Sequence, residues 1–274
     1  LTFLQETYGQ LSLRLLQKIF RITGHFRQSR TEYPLLVESA VENAVHGIGV
    51  TDDIGSVGAA FPGKRDTRKL PAQKLGFDEI QFDYIRFSTE KGIGDVVYDE
   101  ADVRGRDKKT VITEFVQYAS EKLKDEGAFV AADVFGAVMG GGIDSDTVGQ
   151  SYGDMANQLD YICPMIYPSH YGDGNFGIEH PDTQPYDTIL AALQLSREDL
   201  SGYETEGQDQ ASVRPWLQDF TASYLKNYIK YGNDEIRAQI QAVYDAGYEE
   251  WLLWSAACNY HWEALHDGEN SETR

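Results

Sequence analysis

One stretch of the chain, residues 76–87, constrains the fold more than any other because it combines a buried-strand pattern with a row of polar groups. Its sequence, GFDEIQFDYIRF, is rich in the β-branched and aromatic residues that favour strands. Alternation along a strand would put Glu79, Gln81 and Asp83 on one face. Carboxylates on an apolar strand are costly in a core unless they are paired or used. The stretch therefore predicts either an edge strand with a solvated acidic face, or a barrel strand with Asp83 at its C-terminal end, where TIM barrels carry catalytic groups.

From residue 76 onward the chain alternates strand-like and helix-like segments, which is the pattern of parallel βα units. The predicted strands cover residues 76–87, 129–135, 161–167, 214–220 and 250–255. The predicted helices cover residues 113–124, 150–158 and 185–195, followed by one that is capped by Asn233 and ended by Gly247. These patterns predict an α/β fold with a parallel sheet.

Composition excludes several classes of function. The chain has 274 residues and a hydrophobic fraction of 41%, enough for one barrel-sized domain or two smaller ones. A net charge of −20 argues against a nucleic-acid partner, because phosphate binding needs basic surface. No apolar run approaches membrane-spanning length, so we expect no membrane insertion. Cys163 and Cys258 form neither a disulfide framework nor a zinc-like pattern.

The charge is distributed unevenly, which predicts a boundary near Leu75. Residues 1–75 contain 10 Lys/Arg and 7 Asp/Glu, whereas residues 76–274 contain 14 and 37. The first segment predicts helices at residues 11–22 and 35–45 and a loop over residues 51–74. It contains no strand followed by a carboxylate, so we expect residues 1–75 to be an atypical N-terminal segment.

Several sequence blocks occur in an order that resembles a known family. They are GFDEIQFDYIRF, AADVFG at 131–136, DYICPMIYPSHY at 160–171, RPWLQDFT at 214–221, AQI at 238–240 and WLLWSAACNY at 251–260. Together they resemble a TIM-barrel family of bacterial glycoside hydrolases, a domain of long-unassigned function, over about residues 75–260. The resemblance implies a (β/α)8 barrel in which the five predicted strands are strands four to eight. Residues 76–274 would be its C-terminal part, and residues 1–75 would be divergent, truncated or translated out of frame.

The resemblance also implies a catalytic pair, Asp83 and Asp133, at the tips of neighbouring strands. Glycosidic hydrolysis needs two carboxyl groups that flank the bond, roughly 5–9 Å apart. By analogy with retaining enzymes of this fold, Asp83 is expected to be the nucleophile and Asp133 the acid/base, with the two roles open to exchange. We expect no cofactor and no metal ion.

Further residues near the predicted strand ends suit contacts with a carbohydrate substrate. They are Arg86, Tyr167, His170, Gln218, Asp219, Trp254, Asn259 and Tyr260. Purely structural roles compete for several of them: an ion pair behind the barrel for Arg86, a helix or loop cap for Asp219, and barrel-closing core for the aromatic residues.

The function expected from these observations is hydrolysis of a poly- or oligosaccharide. The alternative is a non-catalytic carbohydrate-binding barrel or an inactive remnant. A metal-dependent hydrolase is disfavoured because no histidines cluster at the predicted strand ends. The family resemblance implies an extracytoplasmic or cell-envelope location, although no signal peptide is visible in this chain. The sequence predicts no oligomeric state.

Overall fold

The computed structural model describes residues 78–89, 105–125, 127–204 and 209–265. The helices predicted at residues 11–22 and 35–45 and the loop predicted at residues 51–74 lie outside these ranges. The described residues form two compact units. The first unit contains residues 78–89, 105–125, 127–133, 145–151 and 158–160, and the second contains the rest.

The first unit is built on two parallel strands and a helix. Its strands are β1, Glu79–Phe82, and β2, Phe129–Phe135, which belongs to this unit as far as Asp133. They pair in parallel with Glu79 opposite Phe129 and Gln81 opposite Ala131. Between them lies helix α1, Lys108–Asp125.

Helix α1 buries one apolar stripe, as its sequence predicts. The residues buried along it are Ile112, Val116, Ala119, Ser120 and Leu123. Phe115 packs edge-on against Phe82 of β1, with ring centroids 5.7 Å apart. Asp107 caps the helix, since its Oδ1 accepts a hydrogen bond from the backbone N–H of Thr110 at 2.8 Å. The helix ends at Gly127, whose φ of 80° lies in the left-handed region that glycine adopts readily.

The second unit contains the remaining strands. Its strands are β3, Tyr161–Met165, β4, Ser212–Val213, β5, Trp216–Gln218, and β6, Leu252–Trp254. All of the pairings among them are parallel: β3 with β4, β3 with β5, and β5 with β6.

Two long helices pack against each other in this unit and cover its strands. They are α4, Pro185–Ser201, and α5, Asn233–Asp245. Two shorter helices precede them, α2, Ile143–Val148, and α3, Tyr152–Ala156. Residues 145–148 of α2 belong to the first unit. The core contains Ile162, Ile189, Leu193, Leu217 and Ile236, none of which has exposed surface.

The predicted α/β class is confirmed, and all five predicted strands are present with parallel pairing. Two local predictions are wrong. The strand predicted over residues 76–87 ends at Phe82, and Tyr84 is 39% exposed with a φ of 63°. The cap of α5 is Gly232 rather than Asn233, because the Gly232 N–H donates to Glu235 Oε2 at 2.9 Å and Asn233 is already helical.

Candidate active site

The two predicted catalytic residues lie near the carboxyl ends of the neighbouring strands β1 and β2 in the first unit. Gln81 lies opposite Ala131 in the β1–β2 register. Continuing that register by two residues aligns Asp83 with Asp133, and residues two apart along a strand share a face. Both positions are at the carboxyl ends of neighbouring parallel strands, which is where barrel and open-sheet enzymes assemble their sites.

Asp133 is 6% exposed, and Gln81 of the polar row on β1 forms a hydrogen bond with it. Its Oδ1 accepts a hydrogen bond from Gln81 Nε2 at 2.5 Å. The buried side chain of Gln150 donates to the backbone carbonyls of both Asp133 and Ile85, at 3.3 Å each. These bonds fix the backbone at the ends of the two strands. Donation from an amide favours the ionised form of a carboxyl group.

Asp83 has a different environment, because it follows β1 directly at the point where the chain turns away. Its Oδ1 accepts a hydrogen bond from the Tyr84 N–H at 2.7 Å. Burial raises the pKa of Asp83 above its ordinary value, although the Tyr84 N–H and the Arg86 charge act in the opposite direction. The protonated form of Asp83 is therefore favoured more than that of an exposed aspartate.

Arg86 stays close to this turn. Its guanidinium carbon lies 5.3 Å from the centroid of the Tyr84 ring, and Nη1 donates to the Phe87 carbonyl at 3.1 Å. Its charge lowers the pKa of Asp83 without cancelling the effect of burial. Arg86 thus acts on the carboxyl group through its field.

In the second unit, Gln218 at the end of β5 is fully buried and serves the fold. Its Nε2 donates to Asp182 Oδ1 at 2.9 Å and to the Phe220 carbonyl at 3.1 Å, and its Oε1 accepts from the Ser169 N–H at 3.0 Å. The amide of Gln239 also bonds both the N–H and the carbonyl of Gln218. This differs from the expected contact with sugar hydroxyl groups, since no surface of Gln218 remains for a ligand.

Asp219, the next residue, is 1% exposed and is paired with a histidine that sequence reasoning missed. His261 lies 2.6 Å from Asp219 Oδ1 through Nδ1, and its backbone N–H donates to Oδ2 at 2.9 Å. Both carboxylate oxygens are thereby used, so Asp219 holds His261 instead of a sugar hydroxyl. A lone histidine carries no sequence signal for this pairing, because the two residues are 42 positions apart.

The aromatic candidates divide into core and surface groups. Trp254 packs edge-on against the buried Trp216, with centroids 6.1 Å apart. Tyr260 is half-buried beside Trp262, with centroids 5.5 Å apart, and burial raises its pKa. Asn259 is exposed on the same segment.

The loop after β3 contributes Tyr167 and His170. Tyr167 is buried between the rings of His170 and Phe220, at centroid distances of 5.1 and 6.0 Å. His170 is exposed at one side of this stack, and desolvation lowers its pKa. Tyr171 turns inward, and its buried hydroxyl has no hydrogen-bond partner among the described residues.

The Tyr171 hydroxyl lies against Gly136. A Cβ atom added at residue 136 would come within 2.2 Å of that oxygen and 2.8 Å of the Met165 carbonyl. Glycine is therefore required at this close approach.

The residues that the structure describes contain no group of three or more His, Cys, Asp or Glu side chains placed to hold a metal ion. No helix in the described ranges is long and apolar enough to cross a membrane.

Parallel strands that carry carboxyl groups at their C-terminal ends define an α/β protein with an enzyme-like site. The chain belongs to the family described as "putative glycosyl hydrolase domain", whose model matches residues 70–260. No curated protein matches the chain.

Solved structures to which the chain is similar in part include the spore cortex-lytic enzyme SleL of Bacillus megaterium QM B1551, at 12% identity and a TM-score of 0.44, covering 71% of this chain and 49% of that one. The PgaB (BpsB) glycoside hydrolase domain of Bordetella bronchiseptica has 13% identity and a TM-score of 0.42, with 78% and 64% covered. A class V chitinase of Pseudomonas fluorescens Pf-5 has 13% identity and a TM-score of 0.45, with 71% and 67% covered. The chain thus spans between about half and two thirds of the length of these structures.

Proposed function

We propose that the protein is a glycoside hydrolase that cleaves a poly- or oligosaccharide with Asp83 and Asp133. The observation that carries this proposal is the alignment of the two carboxyl groups at the ends of β1 and β2, where burial raises the pKa of Asp83 and Asp133 accepts a hydrogen bond from the Gln81 amide. Glycosidic hydrolysis needs one carboxyl group protonated and the other ionised.

The surroundings support Asp83 as the general acid and Asp133 as the ionised partner. Burial raises the pKa of Asp83, which keeps a proton available for the leaving oxygen. Asp133 accepts the Gln81 amide, which stabilises a carboxylate. This assignment reverses the roles that the family resemblance implies.

In the proposed reaction, Asp83 donates its proton to the glycosidic oxygen as the bond to the anomeric carbon breaks. Asp133 attacks that carbon and forms a covalent glycosyl-enzyme intermediate, which water then hydrolyses with Asp83 acting as base. Such a retaining mechanism requires the two carboxyl groups to lie about 5–5.5 Å apart.

The proposal extends to the fold, the location and the type of substrate. The five predicted strands are strands four to eight of a (β/α)8 barrel, and the protein acts outside the cytoplasm or at the cell envelope. Its formal charge of −20 favours an uncharged or cationic saccharide over an anionic one.

A second candidate function is carbohydrate binding without hydrolysis. The 6% exposure of Asp133 favours it, because a carboxyl group with so little surface would need a rearrangement to reach an anomeric carbon. The two functions differ in one observable, the release of new reducing ends.

The test is a reducing-end assay on a panel of bacterial envelope and plant polysaccharides. Wild type, Asp83→Asn and Asp133→Asn would be compared with Asp78→Asn, an exposed aspartate that precedes β1. We expect activity in wild type and the Asp78→Asn control and its loss in the other two variants. A folded wild type that binds a polysaccharide of the panel and releases no reducing ends from it would favour the binding function.

A further inference from the structure

The pairing of Asp219 with His261 leaves one ring nitrogen of the histidine available at the surface. Nδ1 faces the Asp219 carboxylate and donates to it, so Nε2 is the ring nitrogen left to form a hydrogen bond with a ligand. The His261 side chain keeps 39% of its surface exposed, and within the described residues its ring contacts no other polar partner. Removing one partner of a buried pair is costly, so Asp219 and His261 hold each other in place.

The segment that carries His261 is held firmly in place. Asp219 binds the His261 backbone N–H, while Arg237 Nη2 donates to the Glu263 carbonyl at 2.8 Å. Asn233 Nδ2 also donates to Glu263 Oε2 at 3.2 Å. Because helix α5 anchors the turn that follows, the ring of His261 is positioned from two directions.

Exposed aromatic surface lies on both sides of this histidine along the chain. Trp262 is 48% exposed, and Tyr260 packs beside it. Aromatic rings with exposed faces pack against the apolar faces of ligands, while a fixed polar group sets the orientation. Asp219 follows the last residue of β5, and its N–H donates to the Trp254 carbonyl at 2.8 Å. The pair of Asp219 and His261 therefore lies at the carboxyl ends of β5 and β6.

We infer that His261, Tyr260 and Trp262 form a saccharide-binding subsite, in which His261 Nε2 bonds a hydroxyl group of an uncharged sugar ring and Asp219 acts as its positioning residue. This inference rests on the proposed function and adds a ligand contact to it. His261 lies one residue beyond the part of the chain that the family model matches. The aromatic rings exclude water from one side of the sugar, which strengthens the hydrogen bond to Nε2.

The chain offers a matched pair of substitutions at His261. Asparagine keeps a donor near the position of Nδ1, so His261→Asn preserves the bond to Asp219 and removes Nε2. Glutamine reaches the position of Nε2, so His261→Gln keeps a polar group towards the ligand. The control is His180→Asn, which alters a histidine that bonds Asp173 and Asn227.

The experiment measures the affinity for cellohexaose and for N-acetylchitohexaose by calorimetry, in an Asp83→Asn background that prevents turnover. We expect His261→Asn to weaken the binding of at least one of the two roughly five- to tenfold, which is the effect of one lost hydrogen bond. His261→Gln should recover part of this loss, and His180→Asn should bind as the parent does. Unchanged affinity in a folded His261→Asn variant, or a folded parent that binds neither probe, would overturn the subsite.

A second measurement separates positioning from contact. Nitrogen-15 NMR of labelled histidines should show the Nδ1–H tautomer of His261, with the Nε2 resonance moving when the saccharide is added. Asp219→Asn should change the tautomer and weaken binding at a pH where the fold is retained. A ring resonance that does not respond to saturating saccharide would contradict the inference.

The two proposals fail in different ways. Saccharide binding that depends on Nε2, without release of reducing ends by wild type, would support the subsite and reject the hydrolase. Hydrolysis with an unaltered KM in His261→Asn would support the hydrolase and reject the subsite.

Discussion

The carboxyl ends of β1 and β2 in the first unit contrast with the carboxyl end of β5 in the second. Asp83 accepts one backbone N–H from its neighbour and has its pKa raised by burial. Asp219 has both oxygens bound by His261. The same residue type at equivalent places in parallel strands therefore suits proton transfer in one case and orientation of a neighbour in the other. The number and type of hydrogen-bond donors around each carboxyl group make the difference.

The largest expected effect comes from the end of β1. Asp83→Asn removes the proposed general acid, so kcat on an active polysaccharide should fall by about 10²- to 10⁴-fold. Stability in urea should not fall, because the variant removes a carboxyl group whose ionised form burial disfavours. A loss of folding that parallels the loss of activity would show that Asp83 is structural.

At the end of β5 we expect the opposite result, a loss of stability. Gln218→Leu keeps a similar volume but leaves the Ser169 N–H and Asp182 Oδ1 buried without this partner. The free energy of unfolding should fall by roughly 3 kcal/mol, as measured by urea denaturation. The matched control, Gln117→Leu on the exposed face of α1, should change it by less than about 0.5 kcal/mol. Equal effects of the two substitutions would remove the contrast between the strand ends.

The hydrogen bond between Gln81 and Asp133 should affect the catalytic rate more than it affects folding. Gln81→Leu deletes the donor that supports the ionised form of Asp133, so kcat should fall about tenfold. Glu79→Gln, on the same face at the start of β1, serves as the control and should leave kcat unchanged. Kinetics at saturating substrate, with circular dichroism to check folding, would make the measurement. An unchanged kcat in Gln81→Leu would argue that Asp133 does not need to be ionised.

The smallest effect concerns pH. If Asp83 must be protonated, activity is lost as the pH rises through its pKa, which burial raises above the ordinary value. Arg86 lowers that pKa, so Arg86→Leu should move the alkaline limb of the kcat/KM profile to higher pH. Arg106→Leu, which breaks the ion pair with Glu114, should not move it. A shift to lower pH would instead assign the alkaline limb to another group.

Much of the fold could be predicted because local pattern and tertiary structure agree. The predicted strand at residues 129–135 is present with the predicted bounds, and Gly127 ends helix α1 as expected. The strand at residues 76–87 was predicted too long because its apolar residues continue past Phe82. Ile85 and Phe87 are indeed buried, but Tyr84 takes a left-handed conformation that ends the strand and turns its ring outward.

The candidate site was less predictable, because burial and partner choice depend on contacts between distant positions. Gln218 carries the kind of amide group that binds sugars, but it is occupied by Ser169 and Asp182. These partners lie 49 and 36 positions away, so the local sequence does not reveal them. His261 appeared unremarkable in the sequence for the same reason. The polar row of β1 could be predicted because its alternation is local. The hydrogen bond between Gln81 of this row and Asp133 follows from the pairing of β1 with β2.

The close approach of Tyr171 to Gly136 has a consequence for the evolution of this family. One methyl group at residue 136 would overlap both the phenol oxygen and the Met165 carbonyl, so alanine there requires residue 171 to be smaller or turned away and the backbone at Met165 to shift. Positions 136 and 171 are therefore expected to change together among homologues, although 35 residues separate them in the chain. In an alignment of homologues, we expect glycine at position 136 wherever position 171 is tyrosine. Other residues at position 136 should occur only where tyrosine is absent at position 171.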